Sequence, residues 1–426
     1  MKVAIIGGGV AGLGAARLLY KHYPITVFEK NDCVGGHANT ISLPSLHPDL
    51  VVDSGFIVFN HQNYPEFRSM LSHLNVDTVA TDMSFSVSDR KKSLEFSSAW
   101  PHGIFADRRN IFRPTYWRFL FEIKRFNLRG TSALKEGEKT QGMTLGEFLV
   151  RENFTEALIN QYLIPMAAAI WSAPFKKILN FPLIPFLKFL DNHGLLTVNQ
   201  HPQWYTVKGG SRVYVNKLIH PFQDNICHQE IISVQRQEEG VEVTSLTKEK
   251  SLNKQFFDQV IFASHANETL ALLKTPTPEE IDFLKAFPYA KNDVYLHQDE
   301  SFMPQRRGAW ASWNTLISKG YHFENPVCVT YWMNSLQKIS MDFPLFITLN
   351  PSQKPQNILQ RFSYDHPLFT QESLHAQRRL SQIQGKDCIW YCGSYVGYGF
   401  HEDALKSGVD VALKLGGKRE WMASHA

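Results

Sequence analysis

Apolar residues are patterned most tightly at the two ends of the chain. Residues 2–6 form a short β-branched run, 13–20 carry helical spacing, and 25–29 form a second strand closed by a carboxylate. Further on, 51–60 reads as a strand with a turn at its start. The stretch 64–74 reads as a helix with Phe67, Met70, Leu71 and Leu74 on one face. A helix is expected to begin at Pro114, with Tyr116, Phe119, Leu120 and Ile123 on one face and Trp117 and Phe121 pointing elsewhere. Residues 144–154 and 156–163 are helical by pattern. The apolar run 181–196, broken by Pro182 and Pro185, suits either a core or a channel wall. A strand, a turn at Glu239-Gly240 and a second strand follow from 226 to 244, then a strand over 257–265. Strands over 291–297, 310–314 and 329–334 are rich in Trp and Tyr. The last strand leads through closely spaced glycines into a helix near residue 401.

The first two strands and their helix enclose Gly7, Gly9 and Gly12 at G-x-G-x-x-G spacing, with Glu29 about twenty residues on. Chemistry asks for these residues at these places. The first glycine permits the tight turn, the second lets backbone approach a pyrophosphate, and the third lets the helix pack on the sheet. The helix that follows offers phosphate its N-terminus, and Glu29 can accept from a ribose hydroxyl. The pattern predicts a dinucleotide site.

Composition narrows the picture. At 426 residues and 43% hydrophobic, the chain is long enough for two domains. No apolar run is long enough to span a bilayer. Five scattered cysteines suit a reducing, cytoplasmic setting better than a disulfide framework, and none has metal-ligand spacing, so no metal site is expected. The net charge of +4 does not point to nucleic acid. Positive charge is concentrated in one place: residues 105–129 hold Arg108, Arg109, Arg113, Arg118, Lys124, Arg125 and Arg129 against Asp107 and Glu122. Such a basic, aromatic helix near Arg118 is either a peripheral membrane contact or a substrate-domain helix with a solvated face.

Beyond Glu29 the chain resembles the flavin amine oxidase and phytoene desaturase superfamily. The resemblance rests on Lys30, the pair Gly35-Gly36 followed by His37 where Arg is usual, and the D-x-G of Asp53 and Gly55. It continues in the pair Gly209-Gly210 and in the C-terminal run from Trp390 through Gly393, Gly399, Phe400, His401 and Glu402. It implies FAD as cofactor, with Gly7, Gly9, Val10, Ala11, Gly12, Glu29, Lys30, Gly35, Gly36, His37, Asp53, Gly55, Ile231, Gly393, Gly399, Phe400 and His401 around it. It also implies an α/β fold in which a Rossmann-like FAD-binding domain (1–80, 203–270 and 385–426) interleaves with an α+β substrate domain (81–202 and 271–384). For Asp53 a plain turn role is compatible with the same position.

Three functions follow as expectations. The first is an FAD-dependent oxidoreductase taking a hydride from a C–H bond of a lipid, fatty-acyl or isoprenoid substrate, with His401, Tyr398 and Trp332 as candidate catalytic residues. The motifs I-W-S-A-P, W-A-S-W-N, T-Y-W-M-N and G-F-H-E-D resemble a bacterial subgroup of NAD/FAD-binding oxidoreductases and favour this one. The second is an amine oxidase, which in this superfamily places a Lys near the flavin; the nearest is Lys291, with Asn292 and Asp293 at the better-aligned positions. The third is a non-catalytic FAD-binding module. A second G-x-G-x-x-G is absent, so a separate nicotinamide domain is not expected.

Overall fold

Val3–Ile6 is buried on both faces, the environment of a parallel strand covered by helices on either side. The structure that surrounds it is a computed structural model, which describes all residues except 92–93, 100–101, 141, 172–174, 197–201, 318–326 and 422–426. Ile25–Glu29 and Gln259–Phe262 flank this first strand, both parallel to it. Ile226–His228 and Ile389–Tyr391 complete a five-stranded, all-parallel sheet. The order of strands along the chain reverses between Val3–Ile6 and Gln259–Phe262, which opens a crevice at the strands' C-terminal ends.

Two helices cover one face of this sheet at unusually short range. A Cβ on Gly408 of the C-terminal helix His401–Lys414 would lie 2.0 Å from the Ala11 carbonyl of Val10–Leu19. A Cβ on Gly12 would lie 2.0 Å from the Gly7 carbonyl, so the third glycine of the motif is fixed by packing. The other face carries the antiparallel ribbon Glu230–Gln237, Gly240–Leu246 and Leu252–Phe257. Phe283, Leu284, Phe287, Ala376 and Ile383 join Ala4, Ile6 and Phe262 in this core, although the sequence assigned 271–384 to the substrate domain.

A second sheet has seven strands. In spatial order they are Ile358–Pro367, Tyr289–His297, Phe346–Leu349, Cys328–Trp332, Trp313–Ile317, Phe85–Asp89 and Leu94–Ser97. Only Trp313–Ile317 and Phe85–Asp89 pair in parallel. The helices Leu145–Arg151, Ile164–Trp171 and Leu183–Asn192 share a core with it. Thr144 and Glu147 make a reciprocal capping box at the first of these.

Three expectations change. The strand expected over 51–60 is split into Val51–Asp53 and Phe59–Asn60, because Gly55 lies so close to the His37 carbonyl (2.4 Å from a built Cβ) that the chain bends there. The helix expected over 156–163 runs on through a π turn, Ile159–Leu163, into Ile164–Trp171, and Pro165 follows that turn within the helix. The strand expected over 310–314 starts at Trp313. Residues 172–174 of the I-W-S-A-P motif lie outside the described residues.

Gly408→Val forces a branched side chain into the helix crossing and is expected to cost about 1–3 kcal/mol of stability. Urea unfolding measures it, and an unchanged midpoint contradicts the close approach.

Candidate functional site

Each of the five parallel strands ends at the wall of one cavity of about 1860 Å³. Gly7, Glu29, Gln229, Ala263 and Gly393 follow or close the five strands in turn, and all line it. Gly9, Val10 and Ala11 present the N-terminus of Val10–Leu19 to the same space. A Cβ on Gly9 meets nothing within 4 Å, so the loop leaves a hollow there. The Glu29 carboxylate is buried, faces the cavity and is oriented by the Gly8 and Asn31 amides, each at 2.9 Å. Lys30 sits at the rim, tied to Glu268 at 2.6 Å. Gly35, Gly36, His37, Gly55, Ile231, Gly399, Phe400 and His401 also line the cavity. Gly36, at φ +59°, would bring a Cβ to 3.2 Å from the Gly9 Cα, so the glycine pair packs on the phosphate-type loop itself.

Three assigned residues do not reach the cavity. Gly12 is in the helix–sheet contact described above. Asp53 accepts from the Ser211 amide (2.9 Å), the Ser211 and Thr40 hydroxyls and the Gln337 amide (2.6 Å), so it ties three loops together behind the cradle. Burial pushes its carboxyl up, against those four donors. Trp332 is corrected by strand alternation: Tyr331 lines the cavity, while Trp332 points to the opposite face and meets Trp310 edge-on at 5.2 Å. Lys291 is exposed and outside the cavity, and Asn292 is fully buried in a side-chain pair with Asn350.

The start of the C-terminal helix is rigidly set. His401 stacks on Phe56 at 3.8 Å and shares a 2.6 Å hydrogen bond with the Tyr214 hydroxyl. Asp403 accepts from the Tyr398 and Phe400 amides, capping its own helix, whereas Glu402 accepts from the Glu66 and Phe67 amides and caps Pro65–His73. Tyr398 lines the cavity at its edge. Tyr395 lines it too, but its ring is held against Phe287.

Sequence reading placed His37 and His401 at the cofactor but missed His265 and His366, which gather around His37. His37 has Tyr364 at 4.9 Å, His366 at 5.5 Å and His265 at 6.4 Å, all on the cavity wall. Burial first, then the neighbouring imidazoles, holds His37 down at about 3, and burial takes His366 to about 4 and His401 to about 3. All three are neutral near pH 7, and the buried His37 Nε2 has no partner among the described residues. The signal available was the period-2 run Phe362, Tyr364, His366 on a strand that the sequence did not yield.

Away from the cradle the cavity continues as a chamber walled by Phe96, Ile123, Met166, Ile170, Phe189 and Trp313. Its charged lining residues Lys124 and Asp82 are exposed at the rim. Glu29, Lys30, Glu230 and Glu268 belong to the dinucleotide side, and Asp365 adjoins His366. His193 closes the chamber, stacked on Phe189 at 3.8 Å, and burial lowers its imidazole to about 4.

Two outcomes follow. Gly9→Trp fills the hollow without touching the core, so folding is expected to survive while dinucleotide binding, read by calorimetric titration, is lost; full binding contradicts the cradle. For His193, the folded pKa lies below the ordinary 6.5, so the unfolded chain takes up the proton first as pH falls. Its contribution is whole above pH 6.5 and lost towards pH 4. Glu402 and Asp403, raised by burial to about 7 and about 6, act in the opposite sense, so the comparison is between variants. His193→Gln is expected to gain melting temperature relative to wild type as pH falls from 6.5 to 4; a constant offset contradicts it.

Known proteins share these features to different extents. Residues 5–74 match the family model of an NAD(P)-binding Rossmann-like domain. A 4,4'-diapophytoene desaturase (4,4'-diaponeurosporene-forming) of Staphylococcus aureus is 28% identical over 135 residues, covering 26% of each chain. The chain thus spans about a quarter of the length of that curated relative. Cyclohexylamine oxidase from Brevibacterium oxydans superposes over 97% of this chain and 98% of its own, with TM-score 0.69 and 12% identity. A CLA-producing fatty acid isomerase from P. acnes covers the same shares with TM-score 0.67 and 12% identity. At such identities the solved structures share the fold alone. Residues 5–74 thus carry the pattern of an NAD(P)-binding Rossmann-like domain, and the chain as a whole has the fold of these solved structures.

Proposed function

We propose that the chain is an FAD-dependent oxidoreductase acting on an apolar chain, a fatty-acyl lipid or an isoprenoid. The observation that carries this reading is the chamber: aromatic and aliphatic walls, continuous with the dinucleotide cradle, and charge kept to the rim. The residues present fit FAD. The hollow at Gly9, the free helix N-terminus and the oriented Glu29 carboxylate suit a pyrophosphate and a ribose, and the unpartnered His37 Nε2 offers a neutral contact where superfamily members use Arg. Gly35, Gly36, Gly55, Ile231 and Gly393 supply backbone at close range. When bound, FAD supplies the hydride acceptor.

The chain's own residues do the rest. The segments 1–80, 203–270 and 385–426 hold the cofactor, and the seven-stranded sheet with its helices holds the substrate. Phe400 and His401 open the C-terminal helix on the cavity, where its dipole favours negative charge. Locked by Phe56 and Tyr214, His401 is a positioning element and Tyr398 closes the edge. The aromatic walls exclude water and orient a chain.

An amine fits less well. An ammonium in the chamber would give up its hydration, and among the described residues no carboxylate stands on the chamber's apolar wall to repay it. Lys291, the residue an amine oxidase would use, is outside the cavity.

Anaerobic visible spectroscopy tests the reading. A fatty-acyl phospholipid or isoprenoid is expected to bleach the bound flavin, and a panel of amines is expected not to. Bleaching by amines alone overturns the substrate class, and no bleaching by either favours a cofactor-bearing module without turnover. Chain length gives a second readout. Each methylene withdrawn from water contributes about 0.8 kcal/mol, so shortening an acyl substrate by two carbons is expected to weaken binding roughly fifteen-fold. Equal affinities contradict burial of the chain.

A further inference from the structure

A surface helix normally turns charge, not aromatic rings, to water. The helix Pro114–Lys135 buries Tyr116, Phe119 and Phe126 on its inner face. Its outer face then repeats the apolar theme. Trp117, Phe121 and Leu128, spaced i, i+4, i+11, are exposed, Phe121 by 66%. The preceding turn, Arg108–Phe112, adds Ile111 and Phe112, the latter 86% exposed. The Trp117 indole donates to the Ile111 carbonyl at 2.9 Å, so turn and helix present one surface.

The charge left without an acidic partner around these rings is positive. Arg109 pairs with Asp107, Arg125 with Glu122 and Arg129 with Glu152. Among the described residues, Arg108, Arg118 and Lys124 are exposed without a carboxylate partner, and the Arg113 guanidinium bonds only to the Asn110 side chain. A second copy of the chain would answer the apolar rings, but a two-fold contact would set these cations against themselves. An anionic lipid surface answers both the rings and the charge.

The face also lies beside the opening of the chamber. Leu120 and Ile123, on the flank of the same helix, line the cavity, and Lys124 is at once exposed and part of its lining.

We propose that this face docks on an anionic bilayer, with Phe112, Trp117 and Phe121 in the interface and Arg108, Arg113 and Arg118 on headgroup phosphates. The mouth beside Lys124 then opens towards the acyl region. The proposal rests on the apolar-substrate reading, but its test reads no turnover, so an inert flavin and a non-binding face are separate results.

The experiment is flotation of the full chain with vesicles of phosphatidylglycerol and phosphatidylethanolamine, and with vesicles of phosphatidylcholine alone. Binding to the anionic vesicles only is expected, and it should be lost in high salt. Phe112→Ser with Phe121→Ser, and Arg113→Glu with Arg118→Glu, are each expected to lower partitioning roughly tenfold or more. Both pairs are exposed, so thermal melts should match wild type and separate docking from folding. No flotation on anionic vesicles, equal flotation on both kinds, or flotation unchanged by both variants overturns the proposal. So does a dimer in sedimentation that Phe121→Ser dissociates while vesicles fail to bind.

Discussion

The structure depends on five strands being parallel. Parallel alignment delivers five chain ends to one edge of the sheet, and the reversal of strand order leaves a crevice there. The cradle, the chamber and the placement of His401 follow from that edge. The alignment in turn requires helices on the sheet's face, and here two of them meet at glycine range, Gly408 against Ala11. The Gly12–Gly7 contact and the Gly408–Ala11 contact are thus part of the site's construction although neither faces the cavity.

Polar groups around the cavity are divided between two tasks. Asp53, Glu402 and Asp403 are buried carboxyls whose oxygens are used on backbone amides and neighbouring side chains, so they hold loops and helix starts in place. Glu29, by contrast, combines burial, orientation and access to the space where a ribose would lie. The imidazoles of His37, His366 and His401 are kept neutral by burial, so they add polarity to the wall without adding charge.

Much of the cradle was legible in the sequence because glycine carries its own reason. Gly7, Gly35 and Gly393 stand where backbone comes close or where φ is positive, and no other residue does that cheaply. The C-terminal helix was legible for the same reason. Side-chain direction was not. Asp53 sits in a recognisable D-x-G, yet its carboxylate turns away from the cavity because Ser211, Thr40 and Gln337 arrive from distant parts of the chain. Trp332 and Tyr331 are neighbours, and only the register of the seven-stranded sheet decides which faces the chamber. The histidine group was illegible because His37, His265 and His366 come from three segments that meet only in the fold. The outward rings of the basic helix were readable by period, but their relation to the cavity was not.

The most direct measurement is the chromophore released from the purified wild-type chain, quantified against protein. An equimolar amount of FAD is expected. A colourless chain that binds a nicotinamide dinucleotide in the same loop, with no flavin at any loading, would contradict the account.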